Sequence, residues 1–230
     1  MLWHIRLGHP SKDALRRLQK TCPELKDATF GENITKCDAC NKAKFKNLPF
    51  TEVRRRATKR FELVHTDVMG SIVPVTYKHS YKYVVTFIDD YSRFAVAYPM
   101  QDKTCVGECF EKYLCSIRAY FGRETCVSRI RCDNGREYIG GSFKEICDRE
   151  NILVDFMPPY TPQHNGAAER FNQTVEVKTR SMLIDAGVPF EFWDLALAAA
   201  VHVYNRSPHS GLNGATPISQ LDDKINPRYK

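Results

Sequence analysis

Apolar residues change their spacing several times along this chain, and each change marks a predicted element. Across residues 12–20, Ala14, Leu15 and Leu18 recur at three- to four-residue steps and share one face of a helix. From residue 61 the pattern turns to runs rich in Val, Tyr, Phe and Thr. Residues 61–69, 81–89 and 93–100 are predicted strands, and a tight Asp90-Tyr91-Ser92 turn joins the last two into a hairpin. Val106, Phe110, Leu114, Ile117 and Phe121 return to helical spacing, and residues 126–132 return to strand. Ser142-Phe143-Lys144-Glu145 has the Ser-x-x-Glu form of a capping box, so a short helix is expected to start there, with a strand over 152–156. A Pro-rich loop, 158–166, then leads into two helices. In the first, about 167–186, Phe171, Val175, Met182 and Ala186 are expected to face the sheet, leaving Glu169, Gln173, Glu176 and Arg180 on another face. The order is β-β-β-α-β-α-β-α-α, an α/β chain that starts with an antiparallel meander.

Length divides this picture into units. A chain of 230 residues holds one full core and a small module, since single domains run to roughly 100–200 residues. The expected boundaries are a small unit over 1–47, a cationic linker over 48–60, the α/β core over 61–221 and a tail over 222–230. The linker contains Arg54, Arg55, Arg56, Lys59 and Arg60 without apolar periodicity. With a net charge of +7, such a run points to phosphate contact, against the plainer reading of a solvated face. Nine cysteines is an odd number, and Met1-Leu2-Trp3-His4 lacks the pattern of a secretory signal, so reduced thiols in an intracellular, soluble protein are expected. The longest apolar stretch, 195–201, falls well short of the roughly 20 residues of a membrane span. Cysteines 22, 105, 109, 115, 126, 132 and 147 are read mostly as inert core. Phe192, Trp193 and Tyr204 are read as core or a subunit interface.

His4 and His9, then Cys37 and Cys40, offer two nitrogen and two sulfur ligands with 27 residues between the pairs. Such a set suits a closed tetrahedral Zn²⁺ site, which would hold together a module too small for a core of its own. The competing readings are a redox Cys-x-x-Cys, which lacks its βαβ setting, and ordinary polar histidines near Trp3.

Three acids stand where a core could gather them. Asp67 lies inside the first core strand, Asp133 ends the fourth just before Asn134-Gly135, and Glu169 opens a helix, with 35 residues between it and Asp133. Divalent cations that act on phosphodiesters need hard oxygen ligands on rigid elements. In a chain with 27 acids the plain alternative is solvated surface charge. Asp89 and Asp90 are assigned to the hairpin turn, where Asp bonds its own backbone, and Glu137 to an ion pair or hydrogen bond. Gln163, His164 and Asn165 offer donors to phosphates or bases, with helix capping as the other reading of Asn165.

The residues around these acids resemble a known family. His65-Thr66-Asp67, Asp89-Asp90-Tyr91-Ser92-Arg93, Cys132-Asp133-Asn134-Gly135-Arg136-Glu137-Tyr138 and Gln163-His164-Asn165-Gly166-Ala167-Ala168-Glu169-Arg170-Phe171-Asn172 resemble motifs of integrases of copia-type LTR retrotransposons. Leu2-Trp3-His4, Gly8-His9 and Cys37-Asp38-Ala39-Cys40 resemble the zinc domain of the same proteins. The resemblance implies a ribonuclease H-like catalytic core, a mixed five-stranded sheet with helices, preceded by a small helical zinc-binding domain. It implies Asp67, Asp133 and Glu169 as Mg²⁺ or Mn²⁺ ligands, structural Zn²⁺ on His4, His9, Cys37 and Cys40, and DNA contact by Gln163 and Asn165. The expected activity is metal-dependent 3′-end processing and strand transfer by a homo-oligomer acting on element cDNA and target DNA. The expected location is the nucleus, after a cytoplasmic stage in the element particle. Thr216-Pro217-Ile218-Ser219-Gln220 matches the family only loosely, and the usual basic C-terminal domain is missing, so a polyprotein fragment is expected. A noncatalytic DNA-binding or assembly protein from a truncated or domesticated element stays open as the other reading, although a pure binder has no need of all three acids.

Overall fold

The computed structural model describes residues 2–28, 37–43, 56–157 and 165–221. The chain divides into two compact units, Met1–Arg54 and Arg55–Lys230. In the first lie α1 (Leu2–Arg6), α2 (Lys12–Thr21) and α3 (Asp38–Ala43). Ser11 caps α2 by accepting a hydrogen bond from the Ala14 N–H. Of the expected apolar face only Leu15 is fully buried, while Leu18 is 40% exposed. A module this small has too little facing surface to cover a whole stripe.

The second unit is built on one sheet of β1 (Leu63–Gly70), β2 (Tyr83–Asp89), β3 (Ala95–Met100), β4 (Arg129–Cys132) and β5 (Leu153–Phe156), in the order β3-β2-β1-β4-β5. The meander is antiparallel, whereas β4 joins β1 and β5 joins β4 in parallel. Helices cover both faces. On one side α4 (Val106–Phe121), α5 (Arg136–Ile139) and α6 (Gly141–Arg149) close a core with Val64, Val85, Phe87, Phe110, Tyr113 and Ile130. On the other, α7 (Gly166–Asp185) and α8 (Trp193–Arg206) bury Phe171, Val175, Leu183, Trp193 and Leu197 against Val84 and Ile88. The short α9 (Pro217–Leu221) follows. Period-two alternation decides what β1 presents: Val64, Thr66 and Val68 face the first layer, and His65, Asp67 and Met69 face α7. At the free edge, Asn205 of α8 bonds both backbone groups of Ala95 and so takes the place of a further strand.

Several details differ from the sequence pattern. Helix α6 begins at Gly141 after Gly140, and Ser142 makes no capping bond. Its hydroxyl instead fills the space against α4, where a Cβ on Gly107 would come within 2.1 Å of it. The short α5 was not expected. On α7 the buried row is Ala168, Phe171, Asn172, Val175, Thr179 and Leu183; Ala186 lies past the helix end and is exposed. Trp193 and Tyr204 are buried within the unit. Cys109, Cys132 and Cys147 are buried, with thiols pushed up by burial, but Cys115 and Cys126 are exposed. Among the described residues, no helix is long and apolar enough to cross a membrane.

Candidate metal and nucleic-acid site

The parallel register of β1 and β4 sets the acids. His65 lies opposite Arg131, so continuing the pairing by two residues brings Asp67 beside Asp133, just past the end of β4. Helix α7 packs across β1 and carries Glu169 in its first turn. Burial pushes the Asp67 carboxyl up to about 6, and the charges of Asp133 and Glu169 push in the same direction. Asp67 thus lies within electrostatic reach of two further carboxylates, with Lys103 in turn within reach of Asp133, and carboxylate oxygens are the hard donors that a divalent cation takes.

Two residues outside the expected set hold Asp67. Asn172, 7% exposed, donates from Nδ2 to Asp67 Oδ2 at 2.8 Å, and its Oδ1 accepts from the Thr86 hydroxyl at 3.1 Å. Asn172 follows Glu169 by three residues, so both lie on one side of α7. An asparagine inside a long helix is a poor helix former, and that was the available signal for a role beyond the fold.

The neighbouring acids take separate parts. Asp89 binds Ser92 and the Phe61 N–H and is raised by burial. Burial would also raise Asp90, but His65, the Ala57 N–H and Arg93 hold it well below the usual carboxylate range. Glu137 pairs with Lys103 at 3.1 Å. Asn165 occupies the N-cap position of α7, but its side chain is turned inward. At 2% exposure it makes no cap bond, its Oδ1 lies 3.2 Å from His65 Nδ1, and its Nδ2 donates to the Thr66 carbonyl at 3.0 Å. Gln163, Arg54 and Arg55 lie outside the described residues.

Of the expected linker, 48–60, residues 56–60 are described, and they fall in the second unit. Arg56 donates to the carbonyls of Gly211, Asp90 and Tyr91, and Arg60 donates to the Leu221 carbonyl and stacks over the Phe121 ring. Planar guanidinium forks have been used to tie the chain down. Lys59 is exposed, and no salt bridge among the described residues engages it.

In the first unit, the ligand atoms of His4, His9, Cys37 and Cys40 all lie within 4.8 Å of one another, a convergence of four metal-binding groups. His4 Nε2 is 3.1 Å from His9 Nδ1, and the nitrogen–sulfur separations are 3.3, 3.4 and 3.6 Å. A tetrahedron with metal–nitrogen bonds of about 2.0 Å and metal–sulfur bonds of about 2.3 Å has edges of roughly 3.3 and 3.6 Å. The four separations match these edges, and the set suits a single tetrahedral ion once its longest separation, within 4.8 Å, closes by about 1 Å to the roughly 3.8 Å of a sulfur–sulfur edge. His4 Nδ1 lies 2.9 Å from the Pro10 carbonyl, which selects the tautomer that leaves Nε2 facing the cluster. The Cys40 backbone N–H, aided by His4, lowers the Cys37 thiol to about 6 and favours the ligating thiolate.

Comparison with known proteins follows this division. The family described as GAG-pre-integrase domain matches residues 1–45, and two families described as Integrase core domain match residues 57–162 and 150–217. The chain is 38% identical over 207 residues to the retrovirus-related Pol polyprotein from transposon TNT 1-94 of Nicotiana tabacum, covering 90% of this chain and 15% of that protein. It is 29% identical over 220 residues to the Pol polyprotein from transposon RE1 of Arabidopsis thaliana, covering 96% of this chain and 14% of that protein. The chain thus spans about one-seventh of the length of these relatives. In fold it is similar to the HTLV-2 integrase catalytic core domain in complex with magnesium, with a TM-score of 0.55 and 20% identity over 72% of this chain and 99% of that one. It is also similar to a chain of the simian T-cell lymphotropic virus intasome in complex with PP2A regulatory subunit B56 gamma, with a TM-score of 0.62 and 22% identity over 94% of this chain and 77% of that one.

Proposed function

Because the chain belongs to the integrase core family found in copia-type retrotransposon Pol polyproteins, we propose that it cuts and joins DNA as the zinc-binding and catalytic part of an integrase. The observation that carries this reading is the strand register that continues to set Asp67 beside Asp133, with Glu169 in the first turn of the helix packed across β1. The three acids would hold Mg²⁺ or Mn²⁺. When bound, the ions supply charge stabilisation at phosphorus and lower the pKa of a coordinated oxygen. Water attacks a phosphodiester near a cDNA end, and the freed 3′-hydroxyl then attacks target DNA. Both are in-line displacements without a covalent enzyme intermediate. Asn172 keeps one oxygen of Asp67 turned to α7, so the acid needs little reorganisation to ligate. His4, His9, Cys37 and Cys40 would hold structural Zn²⁺, with every position filled by protein and none left for a reacting water. Insertion into chromosomal DNA places the active protein in the nucleus as an oligomer bound to cDNA ends, after a cytoplasmic stage in the element particle.

The test is strand processing and joining with labelled cDNA ends, target plasmid and Mg²⁺ or Mn²⁺. Metal stabilisation of the transition state is worth several kcal/mol, so Asp133→Asn is expected to cost at least about 100-fold in rate with DNA binding retained. Glu137→Gln should cost far less. Full activity in Asp133→Asn would sink the reading.

A further inference from the structure

Like charges push apart, so the spacing of the three acids has to be imposed by groups other than themselves. The residue before Asp67 is Thr66, which is fully buried. Its hydroxyl lies 3.1 Å from the hydroxyl of Tyr138, a fully buried residue on α5, the helix that follows Asp133. Its carbonyl accepts from Nδ2 of Asn165, at the head of α7 and one turn before Glu169. A carbonyl only accepts, so the Asn165 amide has one possible orientation, with Oδ1 towards His65. His65 is backed in turn by Asp90 at 3.1 Å. Thus one residue of β1 is hydrogen-bonded to both other acid-bearing segments, on opposite faces of the sheet.

Stability is a weak explanation for these contacts. A neutral buried hydrogen bond contributes only about 1 kcal/mol net, and an apolar pair of the same shape does as well. Tyr138 already packs its ring on Phe143, at 5.1 Å between centroids, where a phenylalanine would serve equally. What polar contacts add is a single discrete arrangement.

We propose that Thr66 is a junction through which Tyr138 and Asn165 act as positioning residues, setting Asp133 and Glu169 relative to Asp67 and so setting the affinity for the divalent cation. The inference rests on the reading of those acids as metal ligands. Groups that hydrogen-bond a metal ligand directly typically carry 10- to 100-fold in affinity, and residues one bond further out, as here, are expected at the lower end of that range.

The test is Mn²⁺ binding by the full chain without DNA, followed by electron paramagnetic resonance, beside thermal melting. Tyr138→Phe, Thr66→Val and Asn165→Ser should each weaken Mn²⁺ binding by about 10-fold. The double variant Thr66→Val/Tyr138→Phe, in which both partners are apolar, should regain melting temperature without regaining Mn²⁺ affinity. A purely structural role predicts that affinity returns together with stability, and that outcome overturns the proposal. So does Mn²⁺ affinity within about two-fold of wild type in all three single variants. Asp133→Asn separates the two readings: if it loses Mn²⁺ while the junction variants do not, only the junction falls. If it also binds Mn²⁺ unchanged, the assignment of the acids falls with it.

Discussion

At the scale of single residues, Asp67 carries a conflict between fold and chemistry. Its carboxyl is raised from 3.8 to about 6 by burial and by two acid neighbours. The folded, metal-free protein therefore binds the proton more tightly than the unfolded chain does. The resulting penalty is absent below the unfolded pKa, grows as pH rises through the interval and is complete above about 6. Asp67→Asn removes the charge at nearly constant shape, so at neutral pH it should raise metal-free stability by about 2 kcal/mol, a shift of this size being at most about 3. Below the unfolded carboxylate pKa the gain should vanish. Millimolar Mg²⁺ should reverse the order, stabilising wild type by mass action and leaving the variant unmoved. Melting curves against pH, with and without Mg²⁺, give the answer; a variant no more stable than wild type at neutral pH without metal contradicts it.

Elements are where sequence reading gained most and lost most. Every strand of the core was legible, because runs of β-branched and aromatic residues bounded by turns leave little choice of element. The flanking motifs singled out Asp67, Asp133 and Glu169 as candidates, and the expected ion pair of Glu137 is formed with Lys103. Details set by tertiary packing were not. Ser142 has the pattern of a cap, yet contact with Gly107 claims its hydroxyl. Arg56 and Arg60 look like a solvated linker because nothing in a local window reveals carbonyls at 211 and 221. Asn165 looks like a cap or a DNA contact, since the carbonyl that binds it lies 99 residues away. In the first unit the link between elements is chemical. His4 lies on α1 and Cys40 on α3, and the metal-binding atoms between them replace most of the apolar contact a larger module would have. Metal analysis should find one Zn²⁺ per chain, and Cys37→Ser with Cys40→Ser should release it and unfold residues 1–54, as small zinc modules depend on metal for folding. Hydrogen exchange should show that loss confined to the first unit. Zinc should also be released on acidification, at a pH below the metal-free Cys37 value of about 6, because protons must displace the ion from the thiolates and imidazoles. Retained zinc and unchanged exchange protection would contradict the assignment.

At the scale of the whole molecule, the charge of +7 suits a polyanionic partner, but not every cation is free to serve one. A side chain that neutralises a phosphate releases a counterion and steepens the fall of log affinity with log salt, by about 0.9 for each phosphate on duplex DNA. Arg56 spends its guanidinium on three backbone carbonyls, and Arg60 on one carbonyl and an aromatic face. Lys59, between them, is exposed as they are, but no salt bridge among the described residues engages its ammonium. The prediction is a split within one basic run. Lys59→Gln should flatten the salt slope by up to about 0.9 and leave melting unchanged. Arg56→Gln should lower the melting temperature of the second unit, with about 1–3 kcal/mol lost from charged hydrogen bonds, and barely change the slope. Titration of labelled duplex at several salt concentrations, with melting curves alongside, reads both effects. If Arg56→Gln flattens the slope as much as Lys59→Gln does and melts like wild type, the contacts to Gly211, Asp90 and Tyr91 do not hold that arginine in solution, and the run acts as a uniform phosphate-binding segment.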